Sequence, residues 1–461
     1  MGRLSKGAIA LGSAAVAAGV LRRALNPKPR YEAWQRRPYA EFPNRVLVLG
    51  GGFGGYTAAY TLCNLTQDRD DIGVMLISKE NYFTFWPMVP AIISSDIDTR
   101  NVAQPLRRAL IQVGASFRRA SVDGIDYERK VVTADGQKFP YDHLVLSLGA
   151  EPAFFGIPGV EEHSFKMRGI SDAEAIRNRV IERFEEATLA RGEVPESKLT
   201  FVVIGGGATG VETAAELHTL IHEALAPDYP NVNAERHVRI VLLEGGPSIL
   251  RELDPALRRA AHSRLVSRRI EVMTGIRAQE VTENCVKLKD GPEIPTENVI
   301  WTAGGRPNAK VKELNLPLTQ RDGVIVDRCL RVEGRPGVWA LGDCAAIPAG
   351  EENGQPVPPT AQAALQEGKA VAKNILAAID DSQDLSPFEY RQLGQMVELG
   401  SQFAVNEVMG VKFSGLLGAL FWRAAYLVRL ESPQSKARVA ADWCLGLFFQ
   451  PAVTEIRGER C

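Results

Sequence analysis

The sequence predicts an α/β protein with two domains, each built on a parallel β-sheet, and a C-terminal amphipathic helical region. Two stretches predict the domains: residues 46–60, VLVLGGGFGGYTAAY, and residues 201–217, FVVIGGGATGVETAAEL. Each reads as an apolar strand, a glycine-rich turn and the start of a helix. Continuous apolar strands are typical of parallel sheets covered on both faces. A length of 461 residues agrees with two or three domains.

Both glycine turns fit the spacing GxGxxG. The glycines are Gly50, Gly52 and Gly55 in the first motif and Gly205, Gly207 and Gly210 in the second. In such a motif the first glycine permits a tight turn, the second lets the backbone approach a diphosphate, and the third lets helix pack on strand. The helix N-terminus then offers free N–H groups to the anion. Two copies in the same context predict two Rossmann-like dinucleotide-binding domains.

The residue that ends the second strand of each domain predicts how a ribose is held. In the second domain this is Glu244, which can accept hydrogen bonds from an adenosine ribose, although it could instead be a solvated strand end. A carboxylate there repels a 2′-phosphate by at most roughly 4 kcal/mol before salt screening, which favours NADH over NADPH. In the first domain Ser78 stands at this place, and its hydroxyl can still bind a ribose.

The net charge and the cysteine spacing limit the classes of partner and binding site that we expect. The formal net charge of −1 gives no electrostatic reason to expect a nucleic acid. The six cysteines show neither CxxC nor CxxxxC spacing, so we expect no disulfide framework and no metal site.

Residues 1–43 form a basic and apolar extension that ends in a proline-broken linker. Residues 1–31 carry six Lys or Arg and no acidic residue. The uncharged stretch GAIALGSAAVAAGVL would reach only ~22 Å as a helix, short of a ~30 Å hydrocarbon core. Three interpretations stay open: an organellar presequence or cleaved signal, a membrane-surface anchor, and a disordered extension.

Three further stretches follow the glycine motifs. YDHLVLSLGAEP (141–152) reads as a buried strand that ends at Gly149, suited to a crossover between domains. VWALGDCAAIP (338–348) places Asp343 after a strand and a glycine, and AQAALQEG (361–368) opens a helix. This succession resembles the two-dinucleotide-binding-domain flavoproteins of the pyridine nucleotide-disulfide oxidoreductase superfamily, in which FAD sits on the first motif and a nicotinamide cofactor on the second.

Within that superfamily the chain resembles the type II, non-proton-pumping NADH:quinone oxidoreductases. The matching stretches are NYFTFWPMVPAIIS, AQAALQEG and VKFSGLLGALFWRAAYLVRLESPQSKARVAADWCLGLFF. The resemblance implies an FAD-binding domain over 44–160 and 316–375, an NAD-binding domain over 161–315, and a membrane-association region over 376–461. It further implies FAD-dependent oxidation of NADH with two-electron reduction of a membrane quinone.

The resemblance also implies roles for individual residues. FAD, bound non-covalently, would be held by Gly50, Gly52, Gly55, Ser78, Gly149 and Asp343, and NADH by Gly205, Gly207, Gly210 and Glu244. The candidate catalytic residues are Glu212, near the nicotinamide–flavin junction, and Gln362 and Gln366, beside the quinone pocket. Glu212 could instead be a first-turn acid that complements a helix dipole. The two glutamines could simply pair on a solvated helix face.

The C-terminal region predicts contact with a lipid surface. On a helix over residues 413–429, apolar side chains fall within an arc of about 140°, which can face a core, a dimer partner or a bilayer. Residues 436–450 add basic and aromatic side chains that suit a headgroup boundary. The resemblance favours a peripheral, monotopic membrane protein, and we expect a homodimer. The membrane would be a bacterial inner membrane, on its cytoplasmic side, or an organellar (mitochondrial or plastid) inner membrane.

Two other functions stay open at this point. One is a soluble NADH-dependent flavoprotein reductase of an iron–sulfur electron carrier, which would have no use for residues 411–450. The other is an NADH-sensing flavoprotein, which would hold its reduced flavin for a long time with negligible turnover.

Overall fold

The computed structural model describes residues 37–190, 194–348, 356–382, 384–400, 402–430, 432–451 and 453–455. Most of the predicted N-terminal extension, residues 1–36, lies outside these ranges. The first described element is a 3₁₀ turn at Tyr39–Glu41, whose Tyr39 is buried in the core of the first domain.

The first domain is built on a five-stranded parallel sheet. Its strands, in spatial order, are Val338–Ala340, His143–Leu146, Asn44–Leu49, Ile72–Ser78 and Ser116–Arg119. The central strand is buried from Val46 to Leu49, which explains its uninterrupted run of apolar residues. Because the strand at one edge comes from residues 338–340, the chain returns to this sheet after forming the second domain.

The second domain repeats the arrangement with another five-stranded parallel sheet. Its strands, in spatial order, are Ser164–Lys166, Asn298–Trp301, Thr200–Ile204, Arg239–Glu244 and Ile270–Thr274. Every residue of the central strand is buried. The predicted α/β class with two parallel-sheet domains is therefore confirmed, whereas the residue boundaries of the domains stay a prediction.

Short strands complete the two domains. The antiparallel groups are Tyr82–Thr84 with Ala103–Pro105; Val122–Asp126 with Val131–Ala134 and Gln137–Pro140; Ala150–Pro152 with Gly305–Pro307; and Ala278–Val281 with Cys285–Leu288 and Ile294–Pro295. One short parallel pair joins Val324–Ile325 to Ala345–Ala346. The pair formed by residues 150–152 and 305–307 links the two segments that cross between the sheets.

Helices cover the faces of both sheets. They are Phe53–Leu65, Thr99–Val102, Leu106–Val113, Val160–His163, Ile170–Leu189, Glu196–Leu199, Ala208–His218, Ala234–His237, Pro255–Ser267, Lys310–Glu313 and Ala361–Ile379, with 3₁₀ turns at Trp86–Met88, Pro90–Ile92 and Gly342–Cys344. A π-helical segment, Thr219–Leu225, extends the helix that follows the second glycine motif. Its seven residues lie between that motif and Glu244 and lengthen the connection between them.

The C-terminal region contains a three-stranded antiparallel sheet that was not predicted from the sequence. Its strands are Gly394–Glu398, Ala404–Val408 and Val411–Gly415, and the helices Leu416–Arg429 and Pro433–Leu445 follow. The prediction of a helix from residue 413 was wrong, because residues 413–415 pair as a strand and Gly415, at φ +80°, turns the chain into the helix. None of the helices in the described ranges has both the length and the hydropathy needed to cross a bilayer.

The helices Phe53–Leu65 and Ala361–Ile379 pack against each other at very short range. At Gly368 an added Cβ would lie 2.6 Å from the carbonyl oxygen of Gly54 and 3.0 Å from the backbone nitrogen of Ala58. These atoms belong to the backbone, so they cannot swing aside as the end of a side chain would. Gly368 therefore sets the distance between the helix of the first glycine motif and the helix that begins with AQAALQEG.

We expect Gly368→Ala to destabilise the protein by about 1–3 kcal/mol, because the added methyl group forces the two helices apart. The measurement is the melting temperature of the purified protein. Gly124→Ala is the matched control, since an added Cβ there meets no heavy atom within 4 Å. Equal melting temperatures for the two variants would show that the helix contact is not tight.

Candidate functional site

The first glycine motif forms a tight turn with open space at its centre. Gly50 has φ +105°, and an added Cβ there would overlap the carbonyl oxygen of Ser147. An added Cβ at Gly55 would overlap the carbonyl oxygen of Gly50. At Gly52, in contrast, it would meet no heavy atom within 4 Å, and Gly52 caps the helix Phe53–Leu65 without a side-chain hydrogen bond. The free N–H groups of this helix N-terminus therefore lie beside open space, and such a terminus can bind an anion such as a diphosphate.

The second glycine motif repeats these features in the other domain. Gly205 has φ +121°, and an added Cβ there would lie 2.7 Å from Oγ1 of Thr302. An added Cβ at Gly210 would overlap the carbonyl oxygen of Gly205, whereas one at Gly207 would meet no heavy atom within 4 Å. Gly207 caps the helix Ala208–His218, again without a side-chain hydrogen bond. One chain therefore presents two helix N-termini that can bind anions.

Ser78 and Glu244 lie beside the two turns. The hydroxyl oxygen of Ser78 lies 2.8 Å from the position of an added Cβ at Gly51. The carboxylate of Glu244 accepts a hydrogen bond from the N–H of Gly206 at 2.7 Å and from the N–H of Gly246 at 2.6 Å. The backbone thus orients Glu244 at the edge of its turn, and its oxygens keep lone pairs for further donors. The assignment of both residues to a ribose stays a prediction.

Asp343 lies in the 3₁₀ turn Gly342–Cys344, next to the first glycine motif. Ser147 lies between the 3₁₀ turn and the glycine motif. Its hydroxyl oxygen is 3.7 Å from the position of an added Cβ at Gly342, and its carbonyl oxygen packs against Gly50. Burial raises the pKa of the Asp343 carboxyl group above its usual value, and the positive charge of Arg168 only partly offsets this rise.

Gly149 lies at the crossover between the domains. It has φ +71°, and its carbonyl oxygen accepts a hydrogen bond from the N–H of Asn308 at 3.0 Å. An added Cβ there would meet no heavy atom within 4 Å, so the backbone is open to a ligand at this point too. Its role in cofactor binding stays a prediction.

Glu367 belongs to the same site, although it is not among the residues predicted to bind FAD. Its carboxylate accepts a hydrogen bond from the N–H of Gly342 at 2.6 Å and so holds the turn that carries Asp343. Burial raises the pKa of Glu367 to about 7. The signal in the sequence was a carboxylate on the buried side of a helix that is otherwise rich in alanine.

Gln362 and Gln366 do not pair with each other but bind the backbone of residues 390–394. The side chain of Gln362 donates to the carbonyl oxygen of Gly394 at 3.2 Å and accepts from the N–H of Leu393 at 2.7 Å. The side chain of Gln366 donates to the carbonyl oxygen of Arg391 at 2.8 Å and accepts from the N–H of the same residue at 3.1 Å. The two amides thus fix the segment that leads into the C-terminal sheet, and their place beside a quinone stays a prediction.

Glu212 connects the second domain to the C-terminal sheet. Its Oε1 accepts a hydrogen bond from the N–H of Glu398 at 3.3 Å. Burial raises the pKa of Glu212 to about 8 and that of Glu216, one helical turn further on, to about 7. A carboxyl group with a pKa near neutrality can hold or release a proton at physiological pH. Its place near a nicotinamide–flavin junction stays a prediction.

Three further charged residues near Glu212 were missed in the sequence. They are Asp96, Glu398 and Arg423, which lie in a first-domain loop, a C-terminal strand and a C-terminal helix. Arg423 is within 3.3 Å of a carboxylate oxygen of Asp96 and 3.7 Å of one of Glu398. The available signal was the acidic residue Glu398 between the apolar residues Val397 and Leu399.

We looked among the described residues for a group of metal ligands and for a reactive thiol next to Asp343. No group of three or more His, Cys, Asp or Glu side chains that could hold a metal occurs among them. Cys344 is next to Asp343, but it is a free cysteine buried in the core, and burial raises its pKa to about 11. A thiol with such a pKa stays protonated and is a poor nucleophile at neutral pH.

Comparison with known proteins identifies relatives over most of the chain. The family of pyridine nucleotide-disulphide oxidoreductases matches residues 44–368. A probable NADH dehydrogenase of Dictyostelium discoideum is 34% identical, over 88% of this chain and 90% of that protein. The type II NADH:quinone oxidoreductase of Mycobacterium tuberculosis is 30% identical, over 89% of each.

A solved structure confirms the fold. It is the structure of NDH2 from Plasmodium falciparum in complex with NADH, with a TM-score of 0.81, 20% identity, and coverage of 89% of this chain and 100% of that one. Because this match covers 89% of a chain of 461 residues, it extends beyond residue 368, where the match to the family ends.

Proposed function

The chain belongs to the pyridine nucleotide-disulphide oxidoreductase family, and from that premise we propose that it oxidises NADH and reduces a membrane quinone by two electrons, without pumping protons. The observation that carries the proposal is the pair of helix N-termini that face open space at Gly52 and Gly207. One chain with two such sites can hold a bound flavin nucleotide and a nicotinamide nucleotide together. The names of the relatives support a quinone as the electron acceptor.

The first site fits FAD. Bound FAD would supply the redox chemistry, namely hydride acceptance from NADH and two-electron reduction of a quinone. The protein contributes binding and orientation, for which the proposed residues are Gly50, Gly52, Gly55, Ser78, Gly149 and Asp343. Glu367 would act indirectly, since it holds the turn of Asp343 through the N–H of Gly342.

The second site would bind NADH. Gly205, Gly207 and Gly210 would hold its diphosphate and Glu244 its adenosine ribose. The reaction NADH + H⁺ + quinone → NAD⁺ + quinol takes up one proton from solution. Glu212 is suited to hold that proton, because Oε1 already accepts from the N–H of Glu398 and leaves Oε2 for the proton.

The quinone pocket is proposed beside Gln362 and Gln366. Both amides are bound to the backbone of residues 390–394, so they would shape the pocket by fixing that segment. The names of the relatives favour a quinone as the electron acceptor over an iron–sulfur carrier, and they favour an enzyme over an NADH sensor.

The C-terminal region would attach the protein to the lipid surface from which quinone enters. Among the described residues from 416 to 449, the large apolar side chains that are exposed by 41% or more are Leu416, Leu417, Leu420, Phe421, Val428, Leu445, Leu447, Phe448 and Phe449. Apolar surface of this extent is unusual on a protein that contacts only water. Arg429 and Arg438 are exposed near it and suit anionic headgroups. The proposal places the chain on a membrane face that NADH reaches, and the homodimer stays a prediction.

Paired half-reactions test the function. We expect NADH to bleach the flavin absorbance of the anaerobic holoprotein, and a short-chain quinone to restore it within turnover time. A flavin that NADH reduces but no quinone reoxidises would contradict the proposal and favour the sensor. Reoxidation by an iron–sulfur protein alone would favour the soluble reductase.

We expect Glu244→Gln to raise the ratio of kcat/KM for NADPH to that for NADH about tenfold, because the charge that repels the 2′-phosphate is removed. Steady-state kinetics with both nucleotides give this ratio. Glu283→Gln is the control, since Glu283 is exposed on a loop away from the glycine turn. An unchanged ratio in the Glu244 variant would show that this residue does not face the ribose.

We expect the double variant Phe448→Ser/Phe449→Ser to bind vesicles of mixed neutral and anionic phospholipids at least about tenfold more weakly, because each buried Phe contributes about 1.5–3 kcal/mol. Cosedimentation measures the binding. Leu189→Ser is the control, since Leu189 is 78% exposed in the second domain. Equal loss in both variants, or none in either, would contradict attachment through the C-terminal region.

A further inference from the structure

Acidic side chains from three parts of the chain meet next to Glu212. We call Asp96, Glu212, Glu216 and Glu398 the acid cluster. Glu216 and Glu398 are each only 5% exposed. Burial of ionised carboxylates is costly unless a counter-charge lies close to them. The acid cluster therefore depends on the cations that reach it.

Arg423, on the helix Leu416–Arg429, is the cation in direct contact with the acid cluster. Its Nη2 is 3.3 Å from Oδ2 of Asp96, and its Nε is 3.7 Å from Oε1 of Glu398. The side chain of Arg423 is 15% exposed. Among the described residues, Oε1 of Glu398 has no hydrogen-bond partner, so the charge of Arg423 is its nearest compensation.

A second arginine near the acid cluster, Arg268, binds other partners. Arg268 donates hydrogen bonds to the carbonyl oxygens of Leu399 at 3.3 Å and Ala215 at 3.4 Å, and it pairs with Glu223. Its positive charge lowers the pKa of Glu216 only through space. Arg268 thus cannot replace Arg423 at Asp96 and Glu398.

The last helix of the chain holds Arg423 in place. The guanidinium carbon of Arg423 lies 5.2 Å from the ring centroid of Trp443, which is itself only 9% exposed. A cation over an aromatic face is stabilised by the ring's negative face. Both C-terminal helices, whose outer faces carry the exposed apolar residues, therefore take part in placing this charge.

We propose that Arg423 is a positioning residue of the reaction, whose contacts with Asp96 and Glu398 hold the strand that binds Glu212 and bring a positive charge against the acid cluster. This proposal rests on the proposed function, because NADH-dependent quinone reduction takes up a proton. It makes the C-terminal helices part of the electrostatics of the reaction centre as well as its attachment to lipid. Arg423 would act through Glu398, whose N–H binds Glu212.

The effect of losing Arg423 has a definite sign. Burial holds the pKa values of Glu398 and Asp96 above the usual range of a carboxyl group, that of Glu398 well above it, and the charge of Arg423 limits the rise of both. Without that charge the two carboxyl groups take up protons at a higher pH than before. The other charged or titratable groups that face the acid cluster are Arg268, Glu223, Tyr426 and Asp442.

The experiment follows both half-reactions of the holoprotein across pH. We expect Arg423→Gln to shift the pH profile of flavin reoxidation by a short-chain quinone upward by about one pH unit, the lower end of the effect of a neighbouring charge. Arg423→Lys should restore most of the wild-type profile. The matched control is Arg321→Gln, because Arg321 is exposed in a turn outside the acid cluster and the proposed lipid-binding region, and no ion pair of it occurs among the described residues.

A second readout does not depend on turnover. The infrared spectrum at neutral pH should show a stronger carboxylic-acid C=O band in Arg423→Gln than in the wild type or in Arg321→Gln. An unchanged band together with an unchanged pH profile would overturn the proposal. If wild-type flavin is never reoxidised by quinone, the proposed function fails instead, and the infrared band still decides the role of Arg423.

A further variant allows the proposal to be tested even if Arg423→Gln does not fold. Trp443→Leu keeps the arginine but removes the ring beneath it, and we expect a shift in the same direction as in Arg423→Gln, but smaller. If Arg423→Gln does not fold, then wild-type behaviour of Trp443→Leu and Arg423→Lys in both readouts would overturn the proposal.

Discussion

Buried carboxylates need partners, and this chain places several of them where its three parts meet. Glu212 comes from the second domain, Glu398 from the C-terminal sheet and Arg423 from a C-terminal helix, and each contacts one of the others. These contacts are satisfied only if the helix of the second glycine motif, the strand Gly394–Glu398 and the C-terminal helices adopt one relative position. The proposed chemistry depends on that position, because it brings a group that can carry a proton to the junction of the two domains.

The same strand is also fixed to the first domain. Gln362 and Gln366 bind the backbone of residues 390–394, just before it, and their helix is held against the first glycine motif by the close contact at Gly368. A continuous series of contacts therefore runs from the proposed FAD site to the proposed NADH site through the C-terminal sheet. The helices that bear the exposed apolar surface join this series through Arg423, so attachment to lipid and the reaction centre share one framework.

Local features of the sequence predicted much of this molecule. The turns at Gly50 and Gly205 could be predicted because strand, glycines and helix are contiguous, and the steric reasons act over a few residues. The acid cluster could not, because Asp96 and Arg423, or Glu212 and Glu398, are far apart in the chain and only the fold brings them together. The helix predicted from residue 413 begins only at Leu416. Phe413 fits the apolar stripe of a helix and a strand equally well, and its pairing with the strand Ala404–Val408 makes it part of the sheet.

The proposed function requires two dinucleotides that bind at the two glycine turns and meet at the junction near Glu212. A crystal structure of the holoprotein with NADH would show where each of them lies. We expect the FAD diphosphate at the N-terminus of the helix Phe53–Leu65, the NADH diphosphate at the N-terminus of Ala208–His218, and the nicotinamide between the flavin ring and Glu212. A flavin on the second turn, or a nicotinamide directed away from Glu212, would contradict it.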